Sequence, residues 1–228
     1  MKRIGLLALA SSFAIAAAAP AHAGIFIAYS TNGGTTWNLL ASDGGTQTST
    51  GSGAAGSTTV AAGYQFNVGA TGYPFSAQPD FLTNSINVQS AGNGASTLLV
   101  AFTQTNMNSF TGTLGSSFTA NSLMGSAQNV TISSYYSASN ALYGGTLLQS
   151  KNFTTGPSTF VGTNALALTG PFSETTLYTL NFGAGNGTFN STAQLTAVPE
   201  PATWGMMIMG FGLMGAALRS RKTKVAFA

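Results

Sequence analysis

Between residues 24 and 198 the chain repeats one pattern. A short run sets large apolar side chains against Ser, Thr, Asn or Gln, and a turn rich in Gly, Asn or Pro follows. Alternation with a period of two gives an extended strand one apolar and one polar face. Leu98, Val100 and Phe102 alternate in the strongest run, 96–104, where Leu99 makes both faces apolar, as in a buried strand. Val130 and Ile132 carry the pattern through 127–136. In 175–182, Tyr178, Leu180 and Phe182 face away from Thr179 and Asn181. Weaker runs occupy 25–29, 35–41, 60–68, 81–89, 118–124, 146–153, 159–168 and 189–198. The turn Asn32-Gly33-Gly34 predicts a hairpin between the first two. Residues 42–59 are rich in Gly, Ser and Thr with no large apolar residue, and read as a flexible loop. Pro74 and Pro79 break the 69–79 stretch. No amphipathic helix interrupts this order. About nine strands separated by tight turns predict an all-β fold, an antiparallel β-sandwich of jelly-roll type. No fixed repeat period supports a solenoid.

Charge narrows function. The formal net charge of +3 belongs to the two ends of the chain. Within 24–198 only Lys151 faces Asp43, Asp80 and Glu174, a net charge of −2. That segment has no basic patch, so nucleic acid is excluded as a partner. Cysteine is absent and the only histidine is His22, which removes thiol catalysis, histidine-dependent triads and zinc sites from 24–198. Asp80 and Glu174 are the carboxylates a glycosidase pair would need, but Asp43 sits in an Asp-Gly-Gly turn and Asp80 follows Pro79, so turn and edge roles come first. A calcium loop needs several oxygen ligands at close spacing, and Asp43 stands alone among glycines. The expectation is no catalytic residue, no metal and no cofactor. Trp37, Tyr64, Tyr73, Tyr135, Tyr136 and Tyr143 are candidates for an aromatic sugar platform, against the commoner role of sheet packing.

The two ends read as addresses. Lys2 and Arg3 precede an apolar run, 4–19, and Ala21-His22-Ala23 is a small-residue cleavage site. Residues 1–23 therefore read as a secretory signal peptide, with the export channel and signal peptidase as partners and a mature body spanning 24–198. At the other end Pro199-Glu200-Pro201 precedes the uncharged stretch 202–218, with Trp204 near its start. These 17 residues stand at the lower limit of a membrane-spanning helix. Arg219, Arg221, Lys222 and Lys224 form a basic end, 219–224, that the positive-inside rule places in the cytoplasm.

Pro199-Glu200-Pro201, Trp204, Met206-Met207-Ile208, Gly210-Phe211-Gly212 and the basic end together resemble the PEP-CTERM sorting signal, over 199–224. The tryptophan-containing alphaproteobacterial variant is the nearest form. Two positions depart from it: Gly205 stands where alanine is usual, and the basic end is spread out before Val225-Ala226-Phe227-Ala228. The resemblance implies an exosortase substrate. A membrane-embedded peptidase would read Pro199-Glu200-Pro201 while a helix over 202–218 holds the chain in the inner membrane, and the body would then pass to the cell surface or extracellular matrix. It also implies bacteria that make exopolysaccharide, a further partner. Leu98 to Thr105, Thr131-Ile132-Ser133, Gly170-Pro171-Phe172-Ser173 and Thr196-Ala197-Val198 resemble bodies found upstream of such signals, which have no agreed activity. The resulting expectation is a non-enzymatic envelope or matrix protein. A carbohydrate-binding module is the alternative, and a polysaccharide-modifying enzyme a third reading.

Overall fold

The computed structural model describes residues 24–43, 54–73, 79–92, 94–199 and 201–219. The signal-peptide residues, including Ala21 and Ala23, lie outside them, as do Glu200 and the basic residues Arg221, Lys222 and Lys224.

Ten strands and one helix follow in chain order: β1 (Ile25–Ser30), β2 (Asn38–Ser42), β3 (Ala54–Ala61), β4 (Tyr64–Thr71), β5 (Phe81–Ser90), β6 (Ser96–Met107), β7 (Phe110–Ser137), β8 (Thr146–Phe153), β9 (Ser158–Leu168), β10 (Phe172–Val198) and α1 (Pro201–Arg219). Every strand pair is antiparallel. The long strands β7 and β10 form the spine. The first half of β10 pairs with β6 and with the second half of β7, while its second half pairs with β5 and with the first half of β7. Extending these ladders outward yields two six-stranded layers. One runs β2-β1-β6-β10-β7-β8, and the other runs β3-β4-β5-β10-β7-β9.

The spine bends where its ladder breaks, between Phe182 and Gly187. Gly125 sits at that bend with φ of +64°, and an added Cβ would collide with the Asn186 carbonyl oxygen. Only glycine meets both demands at low cost. The two layers then lie face to face. Tyr29 of β1 packs on Phe66 of β4 at 5.1 Å between ring centroids, and Tyr178 of the first half of β10 meets Phe189 of the second half at 6.2 Å. Ile27, Val100, Phe102, Ile132 and Leu180 from one layer and Phe66, Ile86, Val88, Phe118 and Leu195 from the other close the core. The antiparallel sandwich expected from the alternation is therefore the fold, and its chain wraps repeatedly between layers.

Three expectations change. Residues 54–59 are not loop: β3 begins at Ala54 and pairs along its whole length with β4. Small residues suffice there because β3 is an edge strand held by backbone hydrogen bonds. The expected strand 60–68 is two strands, divided at Ala62-Gly63, both with positive φ. The separately predicted 118–124 and 127–136 are one strand, β7, and 175–182 and 189–198 are one strand, β10. A glycine bend redirects each strand without ending it.

The C-terminal stretch forms α1, 19 residues with Arg219 in its last turn. Its apolar side chains are exposed on all sides, Met206 at 71 % and Ile208 at 70 %. No helix among the described residues is long and apolar enough to cross a membrane. Gly205, Gly210, Gly212 and Gly215 dilute the hydropathy of a helix already at the length limit.

Candidate functional site

The junction between sandwich and helix is short. β10 stays paired with β5 as far as Leu195 and with β7 to its end, where Val198 faces Thr113, and α1 begins at Pro201. Pro199 has no N–H to continue a ladder, and Pro201 suits the first turn of a helix. Asp80 fastens this exit. Its Oδ1 accepts the Thr196 hydroxyl at 2.5 Å and the Ala197 N–H at 3.3 Å. Any enzyme that reads residues 199–201 must therefore work within a few residues of a folded sheet. Trp204 follows within the first turn of α1 and is 52 % exposed. The Asp80 clamp is not legible in the sequence, because the two groups are more than a hundred residues apart.

The outer face of the first layer is a field of neutral polar groups. Thr97 Oγ1 donates to Asn181 Oδ1 at 2.7 Å, and Asn181 Nδ2 donates to Asn129 Oδ1 at 2.8 Å. Asn152 Nδ2 donates to Thr131 Oγ1 at 2.9 Å and to Asn129 Oδ1 at 3.3 Å. This amide ladder crosses four strands. At its edge lies an open cleft of about 450 Å³, lined by Ser96, Thr97, Gln128, Asn129, Asn181 and Phe182.

The aromatic candidates separate. Trp37, half-buried beyond the β1–β2 turn, stacks on Tyr143 at 4.9 Å. Tyr143 is held at φ of +60°, and its N–H donates to the Thr103 hydroxyl at 3.1 Å. A non-glycine residue in the left-handed region is a local strain that the rest of the structure must hold. Burial raises the Tyr143 hydroxyl above its ordinary range. Tyr64 is core, packed on Phe66 and Phe182. Tyr135 and Tyr136 are half-buried on opposite faces of β7, and Tyr73 packs beside the small cluster of Met107, Leu168 and Phe172. No single platform gathers all six.

The carboxylate pair behaves differently from expectation. Glu174 is 0 % exposed, and neither carboxylate oxygen has a hydrogen-bond partner. Burial, reinforced by the negative charge of Asp80, holds its carboxyl well above the ordinary value. A carboxylate sealed inside the sandwich cannot touch a polymer substrate, so the geometry does not form a surface glycosidase pair from Asp80 and Glu174. Among the described residues no group of three or more His, Cys, Asp or Glu could hold a metal.

Taken together these elements define a two-layer β-sandwich ending in a short apolar helix. Residues 197–222 match the family model of the PEP-CTERM protein-sorting motif, so the chain carries the C-terminal signature of exported proteins sorted by an exosortase. No curated protein matches the chain. Among solved structures it is similar to TmCBM61 in complex with β-1,4-galactotriose, at 12 % identity and a TM-score of 0.33, over 60 % of this chain and 90 % of that one. It is also similar to the Arthrobacter globiformis T6 isomalto-dextranase complexed with panose, at 16 % identity and a TM-score of 0.27, over 62 % of this chain and 23 % of that one. The adhesin domain of Epf from Streptococcus pyogenes is similar at 8 % identity and a TM-score of 0.19, over 80 % and 55 % of the two chains. Likenesses this weak carry none of those proteins' activities to this chain.

Proposed function

We propose that the chain is a non-enzymatic exported protein of the cell envelope or extracellular matrix, with a structural or adhesive role in a biofilm or exopolysaccharide matrix. The observation that carries this reading is the sorting motif joined directly to a folded sandwich. In this reading signal peptidase removes 1–23, and α1 holds the chain at the inner membrane with Arg219, Arg221, Lys222 and Lys224 on the cytoplasmic side. Trp204 marks the tryptophan-containing variant of the signal. An exosortase-like peptidase reads Pro199, Glu200 and Pro201, and the body passes to the cell surface. A nearly uncharged surface of Ser, Thr, Asn and Gln suits a crowded matrix, where charge repulsion is not needed to keep neighbours apart. The triple change Pro199→Ala, Glu200→Ala, Pro201→Ala tests this. Full-length chain should accumulate in the membrane fraction. Unchanged release of the body would sink the sorting claim.

A second reading is favoured by the amide ladder and its cleft: the body binds the cell's own exopolysaccharide. Amides and hydroxyls with no charge among them suit a neutral sugar, and the Trp37–Tyr143 pair adds a stacking surface. Retention of the chain on the purified polysaccharide, lost on Asn181→Leu, supports it. Equal passage of both forms through the column counts against it.

A further inference from the structure

One end of the core gathers oxygen atoms that have nothing to bind. Gln104 of β6 and Glu174 of β10 are direct cross-strand partners, and Thr176 lies two residues along the same face. All three are 0 % exposed. Gln104 Oε1, both Glu174 oxygens and Thr176 Oγ1 are buried without a hydrogen-bond partner. The Gln104 amide nitrogen is turned the other way and donates to the Met107 sulfur at 2.6 Å. Its oxygen lies against the backbone of Gly72, so that a Cβ there would collide with it and would also come within 3.2 Å of Phe81. The Gln104 side chain thus reaches from one layer to Gly72, which follows β4 in the other and lies beside Phe81, the residue after Asp80. Asp80 holds Thr196 of β10 by its Oδ1, and its negative charge adds to burial in raising the Glu174 carboxyl.

Buried polar groups are normally paired, and each exception calls for a physical cause. Here the exceptions are adjacent, and acceptor oxygens dominate. Among the described residues no cation serves them. The body has no arginine, and Lys151 is exposed on β8, opposite Ile132. Two carboxylates, an amide oxygen and a hydroxyl are the ligand types of a hard divalent cation, whose charge would neutralise the pair. The absence of Cys and His from the body leaves no thiolate or imidazole for softer metals, and the Met107 sulfur accepts from the Gln104 amide.

We propose that Glu174, Gln104 Oε1, Thr176 Oγ1 and Asp80 form a calcium site buried between the two layers. The cation ties β6 and β10 of one layer to the β4–β5 connection of the other. Through Asp80 it also steadies the end of β10, from which the sorting motif emerges. Extracellular modules bind calcium at roughly 0.1–1 mM, the range such a site would need outside the cell. The site does not depend on how the chain is sorted.

The test is thermal unfolding of the full chain in mild detergent at neutral pH, first with chelator and then with increasing calcium chloride. The midpoint should rise and saturate, by roughly 5–10 °C when calcium reaches about a hundredfold excess over Kd. Glu174→Gln and Asp80→Asn, each folded by circular dichroism, should lose that rise. An unmoved wild-type midpoint at about 10 mM calcium, well above the range of extracellular modules, overturns the proposal. So does a full rise retained by Glu174→Gln, which would place the ion elsewhere.

Discussion

Thr83 offers the sharpest test of how the two layers close. It lies on β5, in one layer, and its hydroxyl meets the Tyr178 hydroxyl of the other layer at 2.6 Å. The same oxygen donates to the Ala193 carbonyl at 3.1 Å and accepts the Ala193 N–H at 2.8 Å. Its one proton goes to the carbonyl, so the Tyr178 O–H is the donor between the two side chains. Ala193 stands at a register shift in the β5–β10 ladder, which is why a side chain serves its backbone. Thr83→Val keeps the shape but leaves the buried Ala193 N–H without its side-chain acceptor and takes from the Tyr178 hydroxyl one of its two side-chain partners, Ser191 being the other. At about 1–3 kcal/mol for the orphaned N–H and about 1 kcal/mol for the lost Thr83–Tyr178 bond, the expected cost is about 3 kcal/mol. Tyr178→Phe leaves Thr83 bonded to Ala193 and should cost about 1 kcal/mol. In the double variant the Thr83–Tyr178 bond is lost once, whereas each single variant counts it, so the cost should fall short of the sum by about 1 kcal/mol. Urea unfolding of the full chain in mild detergent, followed by far-ultraviolet circular dichroism, measures all four corners of the cycle. Strict additivity would mean that Thr83 and Tyr178 do not meet, and the face-to-face packing of the layers would be wrong.

Other consequences are equally direct. Glu174 has its carboxyl raised by burial and by Asp80, so its contribution to stability is fully present below its ordinary value of 4.5 and is lost as pH rises through the folded value. In chelated buffer the midpoint of unfolding should therefore fall from mildly acidic to neutral pH, and Glu174→Gln should flatten that fall; a flat wild-type profile would contradict the buried environment. Gly125→Ala combines positive φ with a collision against Asn186, and should cost about 2 kcal/mol or more in urea unfolding. Asp80→Ala removes the acceptor for Thr196 and Ala197, and hydrogen exchange should speed up at the Ala197 amide while that of Phe102, deep in β6, stays slow.

The alternation of Leu98, Val100 and Phe102 or of Tyr178, Leu180 and Phe182 made the strands and their inner faces legible, because burial on one face imposes a period of two. The tail was legible for a different reason: its chemistry is local and ordered along the chain. Layer assignment was not. The alternation in 118–124 and 127–136 says nothing of the bend at Gly125 that carries one strand across both layers, since that bend depends on Asn186, far along the chain. The paired edge strand at 54–61 was hidden because backbone hydrogen bonds, not side chains, define it. Glu174 and Gln104 looked like ordinary polar residues; only the pairing of β6 with β10 brings them together inside the core.

The most direct test of the account is the mass of the chain recovered from the cell surface, measured intact in cells with and without the exosortase-like peptidase. A body beginning near Gly24 and ending close to Pro199-Glu200-Pro201, without α1, is expected when the peptidase is present, and a chain that still carries α1 when it is absent. A surface form that keeps residues 201–219 in both strains would contradict it.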